Sequence, residues 1–346
     1  MSAAERPPFR VLGFGSPIVD LTARVSEDFL RREVSGGKGG MEPVAARELD
    51  LLAAKLPAPP VLCAGGAAAN TVFALLRTGA EASFFGRVGD DGAGEFFLRR
   101  WREAGGDDTR FVIVPGRATA RCLVLVTPDA ERTMRSDLGV SLEFSDAEIA
   151  AVDFSRFDLF YVEGFMAFAP RCRKAIAAAR SAGCRVALDL ASFEVVKRFH
   201  PFFSGLLRDG MIDFLFANRA EAEALTGESD PAAALRRISA TAEFASVKLG
   251  AEGALVAGPE GIRRVAARKV SDPVDTTGAG DLWAAGFLAG WSRGESPERS
   301  GAYGALFAGE VVRSRGADMD EAAWRRIAAG IEELSAGKNT TATGRE

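Results

Sequence analysis

Short apolar runs ending at a glycine or a carboxylate recur along the chain, and they predict its architecture. Phe9 to Gly15 reads as a buried strand closing on glycines, with Ser16 to Asp20 just beyond its C-terminal end. From Asp158 onward the pattern becomes regular. Leu159–Val162, Arg185–Leu188 and Asp213–Phe216 are strand-like runs, separated by helical stretches through Arg180 and around Phe193 to Leu207. Such alternation predicts a parallel sheet with helices on both faces, an α/β fold. Phe244 to Val256 reads as two strands joined at a glycine turn.

The first half is less regular. Glu42 to Leu56 reads as a helix stopped by Pro57-Ala58-Pro59-Pro60, and Val61–Ala64 as a short strand. Gly65-Gly66 then opens a helix continuing through Arg77, and Glu81–Arg87 is the next strand. Residues 21–40 alternate weakly between glycine breaks, which predicts short strands outside the main sheet. Phe111–Val114, Ala120–Val126 and Arg132–Arg135 read as a meander with turns at Pro115-Gly116 and Pro128-Asp129. These pieces suit a small sheet acting as a lid that excludes water.

One stretch organises the chemistry. Val274-Asp275-Thr276-Thr277-Gly278-Ala279-Gly280-Asp281 is a polar turn, then three residues with almost no side chain, then an aspartate opening an apolar helix. Small residues there let the unpaired N–H groups of the first helical turn approach an anion. A carboxylate beside an anion site makes sense as a base for the group that attacks the anion. The competing reading is an ordinary turn with Asp281 as a helix cap.

Composition narrows the field. A formal charge of −4 and no basic stripe exclude a nucleic-acid footprint. No apolar run reaches the roughly 18 residues needed to cross a bilayer, and the N-terminal residues lack the apolar core of a signal peptide. The four cysteines show no C-x-x-C spacing, so they read as free thiols of a cytoplasmic protein. His200 is the only histidine, which leaves a carboxylate as the natural general base.

Further polar residues sit where open α/β sheets place ligands. Asp20 follows the first strand, as a turn residue or a ligand. Asn70 lies one turn into its helix, where small residues serve either helix packing or a close ligand. Glu163 and Asp189 stand just past strands. Asn218 and Glu221, three apart at a helix start, fit either a hydrated Mg²⁺ or a helix cap. The glycines of Gly89 to Gly94 read as a helix cap rather than a dinucleotide site.

Assembled, these residues resemble the ribokinase-like (pfkB) family of carbohydrate and nucleoside kinases. Asp275–Leu288 matches its C-terminal signature, and Gly65 to Asn70 with Gly79 and Gly89 matches most of the N-terminal one. Val72 departs from it, where a small residue is usual. The resemblance implies a three-layer α/β/α domain over residues 1–336, with a central mostly parallel sheet. Its lid strands would come from about 16–40 and 108–137, and 337–346 would be a disordered tail. It implies Asp281 as general base and Gly278, Ala279 and Gly280 as anion hole. Asp20, Gly65, Gly66, Asn70, Glu163 and Arg135 would bind the acceptor. Asn218 and Glu221 would position Mg²⁺, and Lys248, Gly250 and Gly253 would face the nucleotide, Lys248 standing where threonine is common. Asp275 and Thr277 match a monovalent-cation (K⁺) site of several members.

The implied function is transfer of the γ-phosphate of ATP to a primary hydroxyl of a sugar or sugar-like molecule. Met41-Glu42-Pro43, Glu131–Met134 and Tyr161–Gly164 resemble the adenosine-kinase-like branch, so a nucleoside acceptor stays open, as does a catalytically silent binding regulator. Lids in the family serve as free flaps or as dimer interfaces, which leaves a homodimer open.

Overall fold

The apolar runs become the strands of one eight-stranded sheet. The computed structural model describes residues 8–341 apart from Ala130, Asp272 and Arg315, and only the backbone of 337–341. The chain opens with β1 (Arg10–Phe14), β2 (Ile18–Arg24), β3 (Met41–Pro43) and β4 (Val61–Gly65). Next come β5 (Glu81–Phe85), β6 (Arg87–Gly89), β7 (Val112–Val114), β8 (Ala120–Val126) and β9 (Arg132–Asp137). Then follow β10 (Leu159–Glu163), β11 (Arg185–Asp189), β12 (Phe214–Asn218), β13 (Phe244–Lys248), β14 (Ala254–Gly258) and β15 (Gly261–Val265). The main sheet runs β15-β14-β13-β12-β11-β10-β1-β5, parallel from β13 to β5 and antiparallel at its far end.

Alternation along each strand explains the layers. In β10, Phe160 and Val162 join a core on one face with Phe14, Leu188 and Leu215, while Leu159 and Tyr161 join the opposite core with Val11, Phe214 and Phe216. Both faces are therefore buried under helices, as a parallel sheet requires. Each large side chain so buried contributes about 2 kcal/mol relative to exposure. Val72 fits because β1 makes room for it: a methyl group on Gly13 would lie 2.9 Å from Val72 Cγ2.

The second, five-stranded sheet stands where a lid was expected; it is ordered β3-β9-β8-β2-β4, over a small core of Val25, Phe29, Leu30, Leu49, Leu123 and Leu125. It differs from the expected lid in three ways. β3 and β4 belong to it, while β7 pairs with β6 instead. It is also no simple meander, because β2 joins β8 in parallel. Residues 27–33, expected as strand, form a helix capped by Ser26, whose hydroxyl accepts from Phe29 N. The acidic pair Glu27-Asp28 in its first turn favours that helix through the backbone dipole.

The last helix, Glu321–Thr341, runs into the segment expected to be a tail from Gly337; 342–346, like 1–7, lie outside the described residues. Among the described residues no helix is long and apolar enough to cross a membrane. The four cysteines are free thiols, three of them buried.

Candidate active site

Parallel strands deliver their C-terminal residues to one edge of the sheet, and here that edge is polar. Glu163 ends β10 in register with Asp189, which ends β11. Asn218 ends β12 in register with Lys248, which ends β13. The helix Ala279–Ser292 aims its N-terminus at this row, with Gly278 as its cap at φ 72°. Only glycine takes that left-handed conformation without strain.

Within the first turn, Ala279 N–H already donates to Thr276 O. Gly280 and Asp281 are the next two positions, whose N–H groups have no intrahelical acceptor. Of the expected anion-hole residues Gly278, Ala279 and Gly280, the N–H of Ala279 is therefore already engaged within the turn. Oδ2 of Asp281 accepts from Asn70 Nδ2 at 2.9 Å, and its backbone carbonyl accepts from Thr71 Oγ1. Burial pushes the Asp281 carboxyl up to about 7. Nearby Asp189 and Glu163 add to the rise, and Asn70 and Lys248 oppose it.

Asp20 and Gly65 meet at the root of the lid. A methyl group on Gly65 would lie 2.7 Å from an Asp20 carboxylate oxygen, and one on Gly66, at φ 103°, would lie 2.4 Å from Ser16 O. Burial raises the Asp20 carboxyl to about 6, with Arg132 pulling the other way. Arg132 also stands 3.9 Å from Asp275. It is the lid arginine that reaches the site.

Arg135, expected there, does not. It is buried on the other face of β9, because side chains three apart on a strand point to opposite sides. Its guanidinium donates to the carbonyls of Met134, Ser35 and Gly37, so it braces the loop before β3. Glu163, expected to hold an acceptor hydroxyl, is also committed elsewhere. Its two oxygens accept from Ser16 N and Ala68 N, both at 2.8 Å, pinning the end of β1 to the start of the Asn70 helix. Burial raises its carboxyl to about 7 even though both hydrogen bonds favour the charged form.

Asn218 and Glu221 close on each other as a reciprocal cap, with Asn218 Oδ1 accepting from Glu221 N and Glu221 accepting from Asn218 N and Nδ2. Lys248 lies 2.8 Å from Asp189 Oδ2. Gly250 and Gly253, both at positive φ, shape the turn just after β13. Asp275 is ringed by donors: Thr277 N and Oγ1 on one oxygen, Gly316 N on the other. Burial works against its charge, but these bonds win and hold it below the ordinary carboxylate range. Asp275 and Thr277, expected at a K⁺ site, are thus bonded to each other, with Gly316 N on the second Asp275 oxygen. Among the described residues no three or more metal-binding side chains converge anywhere.

Sequence reasoning gave Asp189 no role, and it named Arg135 where the structure brings Arg132 near Asp20 and Asp275. Asp189 stood in view as an acid at a strand end, but its partner Lys248 is remote in the chain.

The profile of the pfkB family carbohydrate kinases matches residues 55–323. The chain belongs to the pfkB family. It is 31% identical over 249 residues to a protein of Archaeoglobus fulgidus described as an uncharacterised sugar kinase, covering 70% of this chain and 96% of that one. It is 33% identical over 258 residues to an ATP-dependent ribose-1-phosphate kinase of Halopiger xanaduensis, covering 72% and 82%. The solved structure of an adenosine kinase from Sinorhizobium meliloti superposes with a TM-score of 0.84 at 34% identity, covering 94% and 99%. The pfkB chain is thus a kinase of ribokinase-like fold, similar to the adenosine-kinase-like branch.

Proposed function

We propose that this kinase transfers the γ-phosphate of MgATP to a primary hydroxyl of a small sugar or sugar-like acceptor, with Asp281 as general base. One observation carries the reading: a carboxylate raised to about 7 lies in the same helical turn as the unpaired N–H groups of the anion site. Near neutrality such a group takes a hydroxyl proton readily. The acceptor oxygen forms a bond to the γ-phosphorus as the bond to the ADP oxygen breaks, its proton passes to Asp281, and ADP leaves. The N–H groups of Gly280 and Asp281 stabilise the charge on the transferring group.

Bound Mg²⁺ would supply neutralising charge to the phosphates. Asn218 and Glu221 fit it only through water, since their own polar atoms bond to each other. Asp20 at the root of the lid would orient the acceptor, and Asn70 would orient Asp281. The lid would keep water from competing as acceptor.

A nucleoside acceptor is the second reading, favoured by the 34% identity to an adenosine kinase. The test measures ADP release from MgATP with and without a panel of pentoses, hexoses and nucleosides, with Asp281→Asn alongside. Stimulation by one acceptor, lost in the variant by at least about 10²-fold, is expected. Unchanged turnover in Asp281→Asn would overturn the mechanism.

A further inference from the structure

Lys248 is the cation set into the row of carboxylates at the sheet edge. Its Nζ lies 2.8 Å from Asp189 Oδ2, and 13% of its side chain is exposed against 3% for Asp189. A methyl group on Gly280 would lie 3.1 Å from the same Nζ. The ammonium therefore sits directly against the backbone of the anion hole, reached from the sheet while the helix N–H groups reach from above. We infer that Lys248, held in place by Asp189, binds the transferring phosphoryl group. This rests on the kinase reading given above.

Three features support it. The first is the preparation of Asp189. Its other oxygen accepts from Ala191 N at 3.0 Å, and Ala191 has φ 61°, the single non-glycine residue with positive φ among the described residues. Strained backbone of this kind persists where surrounding structure fixes a functional geometry. The second is that stability does not account for the pair, because buried ion pairs are often no better than apolar packing of similar volume. The third is charge. Lys248 faces Asp189, Glu221 and Asp281, from β11, the Asn218-capped helix and the Gly278-capped helix. A phosphoryl group entering among those carboxylates would meet repulsion from each, and the ammonium offsets it. An ammonium has three donors, and one goes to Asp189. A threonine, common at this position in the family, has no charge to offer.

The experiment compares binding of MgADP and of the magnesium complex of an ATP analogue with a β,γ-imido bridge, by calorimetry, on the full chain. Wild type, Lys248→Met and Lys248→Gln are measured, each checked for a cooperative melt. An ammonium on the terminal phosphoryl group predicts that Lys248→Met weakens the analogue about tenfold or more and leaves MgADP within about twofold. Lys248→Gln, which keeps a donor for Asp189 but no charge, should weaken the analogue in the same selective way, and it carries the test if Lys248→Met does not fold. Equal weakening of both ligands, or none, would overturn the assignment. A wild type that binds neither nucleotide would overturn the ATP reading itself, a failure visible before any variant is considered.

Discussion

Asn70 Nδ2 donates to Oδ2 of Asp281 at 2.9 Å, tying the helix that follows β4 to the helix that opens at Gly278. The bond favours the charged carboxylate, so it works against the burial that raises Asp281. Asn70→Ala is therefore expected to move the acid limb of the kcat pH profile above its wild-type position. A profile that keeps its limb and only loses amplitude would show that Asn70 acts on the acceptor instead.

The wild-type profile has its own signature. A base raised to about 7 is protonated below that pH, so kcat/KM should fall about tenfold per unit on acidification beneath pH 7. A flat profile down to pH 5 would remove Asp281 from the role.

Folding stability should change in the opposite sense. Glu163 and Asp281 carry pKa values raised to about 7 by burial, and Glu221 is also raised. Such groups bind protons in the folded state that the unfolded chain has released, so their contribution is full below about 4 and is lost as pH rises through about 7. Depressed carboxyls such as Asp129, near 2, contribute throughout that window and lose their effect only in strong acid. The melting temperature should fall between pH 5 and pH 8, read by calorimetry at constant ionic strength.

Removing the Glu163 carboxylate leaves two buried N–H groups, of Ser16 and Ala68, without their acceptors. Glu163→Ala should cost on the order of 3 kcal/mol in denaturant unfolding. A change in acceptor KM with no loss of stability would return Glu163 to the list of substrate ligands.

The two arginines of β9 should separate cleanly. Arg135→Ala removes a buried guanidinium from loop carbonyls and should lower stability by about 2 kcal/mol or more. Arg132→Ala, at a partly exposed site beside Asp20 and Asp275, should leave melting nearly unchanged and alter kcat or KM. The reverse pattern would exchange the roles assigned here.

How much of this was legible in the sequence depends on the range of the interaction. Strands such as Leu159–Glu163 announce themselves by local apolar runs, and Gly278 to Asp281 by a local change in side-chain size. The Asn218–Glu221 cap was equally local, and its two readings differed only in what the side chains face. Arg132 and Arg135 were harder. Both lie on one lid strand, and choosing between them requires knowing which face of that strand meets the cleft. The helix of residues 27–33 was readable in Ser26-Glu27-Asp28, but the weak alternation and glycine breaks of residues 21–40 suggested short strands instead. Asp189 with Lys248 was least legible, because the pair is made by strand order rather than by chain order.

That strand order has a consequence for how the protein can change. Glu163, Asp189, Asn218 and Lys248 occupy the last positions of four adjacent strands, Glu163 beside Asp189 and Asn218 beside Lys248 at a strand spacing of about 4.8 Å, with the second pair two residues further along. Each is supplied by a different segment, and the apolar residues beneath belong to cores that do not depend on what stands at the tip. One tip can therefore be exchanged without repacking the layers, and a threonine-for-lysine difference at position 248 is such an exchange. The tips stay coupled by charge, Lys248 to Asp189 above all, so retuning one position resets the electrostatics of its neighbour while the layers beneath stay in place.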